Sequence, residues 1–204
     1  LGTGAHKVVT SWIADEPCQV ADVAVAMGLD VDELGKLVRW TWSAWHDVQH
    51  WFPSPRVEVE MARTQAGVHL TGHADVLAIV EDEVRICDFK TGRVDAIHDN
   101  QLKSYCWLAL EDNPEAGRAY AMVLNTRRRT QDGAYYTREQ LDGWFGQFSR
   151  RLLERKYHPS EHNCRYCPRA GNCPGRAQML STVVQALTIP VPASLDEIGP
   201  FAIA

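Results

Sequence analysis

The run from Gly72 to Lys90 constrains this chain more than any other segment. It reads Gly72-His73-Ala74-Asp75, then the apolar Val76–Val80, a short acidic turn Glu81-Asp82-Glu83, then Val84-Arg85-Ile86 and Cys87-Asp88-Phe89-Lys90. Two apolar runs joined by a short polar turn predict a β-hairpin. Side chains alternate across a strand, so Asp88 and Lys90 share a face while Cys87 and Phe89 turn into packing. Asp75, on the neighbouring strand, is placed beside Asp88. Two carboxylates and a lysine at strand ends can bind a hard divalent cation, Mg2+ or Mn2+, and polarise a water beside a phosphodiester. Lys90 can orient or activate that water, or stabilise charge on the phosphate. Taken alone, the pattern also describes a surface hairpin with charged ends.

The rest of the chain gives this hairpin a setting. Residues 3–14, 19–27 and 30–52 read as helices, with Thr3 a cap for the first and Pro53 and Pro55 ending the third. The third helix is rich in aromatics (Trp40, Trp42, Trp45, Trp51 and Phe52), which helical apolar spacing assigns mostly to the core. Val57–Met61 alternates as a strand, with Glu58 and Glu60 on one face. Asn100–Leu110 is helical, Ala119–Asn125 is a strand, and Tyr135-Tyr136 belongs to another. Thr137-Arg138-Glu139-Gln140 has capping-box spacing and opens a helix reaching to about Lys156. A last helix lies near 177–187. Helices, then strands, then helix and strand again predict an α/β fold with a mixed sheet flanked by helices. At 204 residues there is room for one domain and one appendage.

The formal net charge of −5 argues at first against a nucleic-acid partner. Its distribution does not. Residues 1–82 hold 5 basic and 12 acidic side chains, whereas residues 118–180 hold 12 basic and 5 acidic ones. Phosphate responds to the local field rather than to the total. Arg127, Arg128 and Arg129, and the helix bearing Arg150, Arg151, Arg155 and Lys156, are candidates to grip a backbone, or simply form a solvated face. Tyr135 and Tyr136 are candidates to stack on single strands, with a core role the alternative. No apolar run reaches membrane-spanning length, and the start lacks the pattern of a signal peptide, so the expected place of action is the cytoplasm. The first residue is Leu1 rather than Met, as in a fragment or a trimmed chain.

Three further features support the carboxylate–lysine reading. Gln101 and Tyr105 stand four apart, on one face of the helix after Lys90, where they can reach a phosphate or the attacking water. His6, in Gly2-Thr3-Gly4-Ala5-His6, can complete a cation shell with a neutral imidazole, or serve the structure alone. Glu60 can add a carboxylate that supports the cation's ligands from behind, with Glu58 competing for that place.

The series Gly2-Thr3-Gly4-Ala5-His6, Gly72-His73-Ala74-Asp75, Asp88-Phe89-Lys90 and Gln101-Leu102-Lys103-Ser104-Tyr105 resembles the PD-(D/E)xK nuclease superfamily, and within it the RecB-type branch that includes CRISPR adaptation nucleases and phage-borne relatives. The family's Pro-Asp is Ala74-Asp75 here. The resemblance implies a restriction-endonuclease-like central mixed sheet flanked by helices, and cleavage of DNA with Mg2+ or Mn2+. It implies His6, Asp75, Asp88 and the carbonyl of Phe89 as metal ligands, Lys90 as catalytic lysine, and Gln101 and Tyr105 as the motif that follows. It also implies a cytoplasmic setting in a bacterial or phage-infected cell, with recombination, replication or CRISPR and phage proteins as partners.

Cys164-x2-Cys167-x5-Cys173 has metal-ligand spacing. Zinc with His158 or His162 as fourth ligand is one reading. The resembled nucleases join three such cysteines to a distant N-terminal one around a 4Fe–4S cluster. That fourth ligand either precedes Leu1 or is Cys18; Cys87 and Cys106 are poorer candidates. The expected organisation is a nuclease core over 1–157, a small cysteine-rich metal knuckle over 158–187, and a tail over 188–204. The expected function is a metal-dependent deoxyribonuclease acting from DNA ends. The alternative is a nuclease-fold module that binds DNA and recruits a partner with little catalysis.

Overall fold

The computed structural model describes residues 1–92, 99–154, 164 and 167–187. Expectations for Arg155, Lys156, His158, His162 and the tail fall outside these residues.

Three helices come first. Helix α1 (Gly2–Ile13) buries Ala5, Val8 and Val9, one face at helical spacing. Its cap position is Leu1, with no side-chain cap bond, so Thr3 does not cap it. Helix α2 (Val20–Met27) ends at Gly28, which takes the left-handed conformation that favours glycine. Helix α3 (Val31–Val48) starts at Asp30, whose carboxylate accepts the Glu33 N–H at 2.8 Å. Its buried stripe is Leu34, Leu37, Val38, Thr41, Trp45 and Val48. Of the five aromatics expected in the core, Trp45 and Phe52 are buried, but Trp40 and Trp51 stand well exposed. That stripe leaves Trp40 on the outer side of α3, and Trp51 falls past the helix end in the 3-10 turn Gln49–Trp51.

Five strands follow in spatial order of sequence: β1 (Arg56–Gln65), β2 (Val68–Val80), β3 (Glu83–Lys90), β4 (Arg118–Asn125) and β5 (Thr130–Thr137). β1–β2, β2–β3 and β4–β5 are antiparallel, and β3–β4 is parallel. That parallel pair needs a crossover, and α4 (Asp99–Asp112) lies within it. Helix α5 (Arg138–Leu153) opens with a reciprocal capping box. The Thr137 hydroxyl accepts the Gln140 N–H at 3.2 Å, and Gln140 Oε1 accepts the Thr137 N–H at 2.9 Å.

The sheet is covered on both faces. Val76, Ala78, Cys87, Phe89, Met122 and Leu124 pack under α1, α2 and α3. Ala74, Leu77, Val84, Ile86, Ala119 and Ala121 pack under α4 and α5. The architecture is therefore an α/β fold with a five-stranded mixed sheet flanked by helices. The chain divides into two compact units, Leu1–Leu153 and Glu154–Ala204. The second holds a turn in which Cys167 N–H bonds the Cys164 carbonyl at 3.3 Å, followed by α6 (Pro174–Leu187).

Candidate active site

The site begins where two strands part. β2 and β3 pair from Val80–Glu83 up to Val76–Cys87, and the ladder stops there. One step on, the Phe89 N–H takes the Asp75 carboxylate as acceptor, at 2.6 Å to Oδ2. Val76 packs toward α1 while Ala74 packs toward α4. Normal alternation would put both on one face, so β2 changes faces at Asp75. The irregularity delivers Asp75 to the mouth of the gap.

Helix α1 approaches from one side. His6 Nδ1 lies 3.2 Å from Asp75 Oδ1, and the His6 ring stands edge-on to Phe89 at 6.0 Å. With Nδ1 held by the carboxylate, Nε2 faces inward, buried and without a hydrogen-bond partner among the described residues. Burial disfavours charge on this imidazole. The hydrogen bond and charge of Asp75, joined by Asp88, outweigh that and lift it above its ordinary value.

From β3, Asp88 and Lys90 do share a face. Lys90 Nζ is 2.6 Å from Asp88 Oδ2, a close ion pair with the carboxylate buried. Burial raises the Asp88 carboxyl above its usual range. Lys90 opposes this and Asp75 adds to it. Helix α4 closes the other side. Gln101 Nε2 donates to the Tyr105 hydroxyl at 2.7 Å and reaches Asp88 Oδ1 at 3.4 Å. The Tyr105 ring lies against Gly72, where an added Cβ would come within 2.8 Å of it.

Glu58 enters the site and Glu60 does not. Glu58 is in the left-handed region, φ 50°, uncommon for a side-chain-bearing residue and found at constrained functional positions. As a result Val57 packs toward α1 and Val59 toward α4, so the strand reverses its faces here. Glu58 lines the same cleft of about 690 Å³ as His6, His73, Asp75 and Lys90. Its carboxylate accepts from Thr10 at 2.9 Å and holds His73 Nε2 at 3.1 Å. Glu60 lines a second cleft with His73 and Tyr105. The expectation that Glu58 and Glu60 share a face fails because regular alternation does not survive a positive φ. Sequence reasoning missed Thr10 and His73, although His73 stands two residues before Asp75, the spacing of a shared strand face.

Of the basic groups, Arg127 is engaged: its Nε donates to the Thr91 carbonyl at 2.7 Å, bracing the chain just after Lys90. Arg150 and Arg151 are exposed in the last turn of α5.

The arrangement suits a hard cation in its atoms more than in its present pairing. One buried atom with a lone pair, His6 Nε2, lacks a hydrogen-bond partner among the described residues at the parted strand ends, and Asp88 Oδ2 there is held by Lys90. Yet no three His, Cys, Asp or Glu side chains among the described residues form a ready ligand group. The side chains are turned to one another instead, His6 to Asp75 and Asp88 to Lys90. The same holds for Cys164, Cys167 and Cys173, which form no such group. Cys18 belongs to the other unit, packed against the α1–α3 core with its carbonyl accepting from Trp12 at 2.9 Å.

Asp75, Asp88, Lys90, Gln101 and Tyr105 thus come together where the parted strands of a mixed sheet meet α4. The profile of the PD-(D/E)XK nuclease superfamily matches residues 9–174, and the chain belongs to that superfamily. No curated protein matches it. Among solved structures, a "putative exonuclease" from Eubacterium rectale superposes with a TM-score of 0.50 at 11% identity, covering 84% of this chain and 74% of that one. SSO0001 superposes at 0.44 with 14% identity, over 84% of this chain and 95% of that one. At such identities likeness speaks for the fold alone, and the second superposition is too loose to bear on either fold or function. Nucleases of this superfamily commonly use divalent metals such as Mg2+ or Mn2+.

Proposed function

We propose that this nuclease is a metal-dependent deoxyribonuclease that degrades DNA from its ends. The observation that carries the reading is the buried His6 Nε2, without a hydrogen-bond partner among the described residues, at parted strand ends where Asp75 and the Asp88–Lys90 ion pair also lie. His6, Asp75, Asp88 and the Phe89 carbonyl would hold Mg2+ or Mn2+. The ion, when bound, supplies positive charge beside the phosphate and a water of lowered pKa.

The remaining tasks fall to the chain's own groups. Asp75 anchors the Phe89 amide and orients His6 by its Nδ1, leaving Nε2 free to coordinate. Lys90 places an ammonium group where charge grows on the phosphate. Gln101 ties Asp88 to the Tyr105 hydroxyl, which fixes the carboxylate and presents polar groups to substrate. Glu58 holds Thr10 and His73 in place as the cleft's outer layer.

The test compares linear with closed circular DNA, with Mg2+, with Mn2+ and with chelator. Metal-dependent loss of linear DNA alone is the expected result. Asp88→Ala and Lys90→Ala should each lower the rate by about a hundredfold or more. Full activity in both variants would refute the assigned site. Binding of DNA with no cleavage under any metal would favour the recruiting module instead.

For the second unit, the cysteine spacing supports a structural metal on Cys164, Cys167 and Cys173. Protein purified without oxygen should be brown if that metal is iron–sulfur and colourless if it is zinc. Recombination, replication or defence against phage is the setting proposed for such an activity, in the cytoplasm.

A further inference from the structure

The geometry points to a groove between α3 and β5 as a track for single-stranded DNA leading to the active end of the sheet. The proposal names the substrate form for the site above and rests on that reading for its chemistry.

The groove starts next to the site. Lys90 pairs with Asn125 and Phe89 with Leu124 across β3–β4, and Asn125 pairs with Thr130 across β4–β5. Leu124, Arg129, Thr130 and Gln131 form one wall of a cleft of about 340 Å³, and Trp40, Ser43, Ala44 and Asp47 of α3 form the other. The cleft therefore opens two strands from Lys90, at the same end of the sheet. Arg129 holds an exposed guanidinium at its mouth, on a left-handed backbone, φ 56°. No ion-pair partner for it exists among the described residues, unlike Arg85, Arg118 and Arg138.

Aromatic rings line the way beyond. Trp40 is 38% exposed, Trp51 is 37% exposed, and Tyr135 is 57% exposed. Trp51 tilts onto Tyr120 at 5.7 Å, and Tyr120 onto Tyr135 at 4.6 Å. Gly133 makes this possible, since a Cβ there would strike the Tyr120 hydroxyl. From Gln131 to Tyr135 is about 13 Å along a strand, longer than a single base needs. Exposed indole and phenol rings on a soluble surface are stacking platforms for unpaired bases, whose faces a duplex hides. Arg129 supplies the phosphate contact. Asp47, the acidic side chain on the α3 wall, accepts from base amino groups rather than meeting phosphate.

Binding without divalent metal tests this apart from cleavage. Fluorescence anisotropy would be read with labelled oligo(dT) and with a blunt hairpin duplex, for the full chain and for Trp40→Ala, Tyr135→Ala and Arg129→Ala. Each aromatic variant should bind oligo(dT) between about fivefold and a hundredfold more weakly, with duplex binding changed much less. Arg129→Ala should flatten the salt dependence by about one phosphate contact. Trp40→Phe and Tyr135→Phe should stay near wild type, which separates loss of stacking from loss of folding. Unchanged oligo(dT) affinity in both Trp40→Ala and Tyr135→Ala, or equal losses on duplex, overturns the track. If the protein binds as described but never cleaves, the nuclease chemistry falls and the track stands.

Discussion

Glu58 shows how much a single backbone angle decides. Its positive φ turns the carboxylate into the cleft with His6 and Asp75, whereas Glu60, two residues on, lies in a different cleft. Removing the charge at Glu58 should loosen both Thr10 and His73. Glu58→Gln is expected to slow DNA cleavage by about tenfold to a hundredfold, the usual cost of an outer-layer partner, with Glu60→Gln near wild type. Initial rates on linear DNA decide it; equal effects from both changes would disprove the assignment.

Cys106 offers a second residue-scale test. Burial pushes its thiol well above the ordinary value of 9.0, so the native state keeps the proton when the unfolded chain gives it up. Stability from this group is therefore full below pH 9 and is lost as pH rises further. Cys106→Ala should fall less steeply in denaturant midpoint between pH 9 and about 10 than the unaltered protein. At neutral pH iodoacetamide should spare Cys87 and Cys106, both fully buried, and modify the partly exposed Cys18.

Among the elements, the tightest joint near the site is α4 on β2. Gly72 lets the Tyr105 ring and Leu108 lie against the strand, and an added methyl would meet them at 2.8 and 3.0 Å. Gly72→Ala should cost about 1–3 kcal/mol and push Tyr105 away from Gln101, lowering activity beyond what the stability loss explains. At α5 the capping box is exposed and separable. Thr137→Ala should cost about 1 kcal/mol by thermal unfolding and leave cleavage unchanged, because α5 contributes none of the proposed ligands. The capping box was legible from Thr137 and Gln140, and so was the hairpin from the turn at Glu81-Asp82, because local chemistry determines both. The exposure of Trp40 and Trp51 was not. Apolar spacing identifies a stripe, and only the competition among Leu34, Leu37, Trp45 and the rest for one sheet face settles which rings are left outside.

For the whole molecule, both core clusters lie within Leu1–Leu153. A fragment ending at Leu153 should therefore unfold as one cooperative transition, with a cleavage site of intact composition. Calorimetry on that fragment checks this, and a broad, non-cooperative melt would show that the later residues are needed for the core. Five strands in sequential order with one parallel pair put the end of β3 beside the end of β4, so Lys90 and the arginine-bearing turn after Asn125 meet at one edge. The chemistry on offer is readable from the chain alone: Asp75, Asp88-x-Lys90 and Gln101-x3-Tyr105 carry their spacing in the period of the strand and helix that hold them. Which groups outside that run join them is settled by packing. His6 and Thr10 come from α1 and Glu58 from β1, and their meeting depends on how helices pack across a sheet and where two strands leave regular alternation, neither of which has a local period to read.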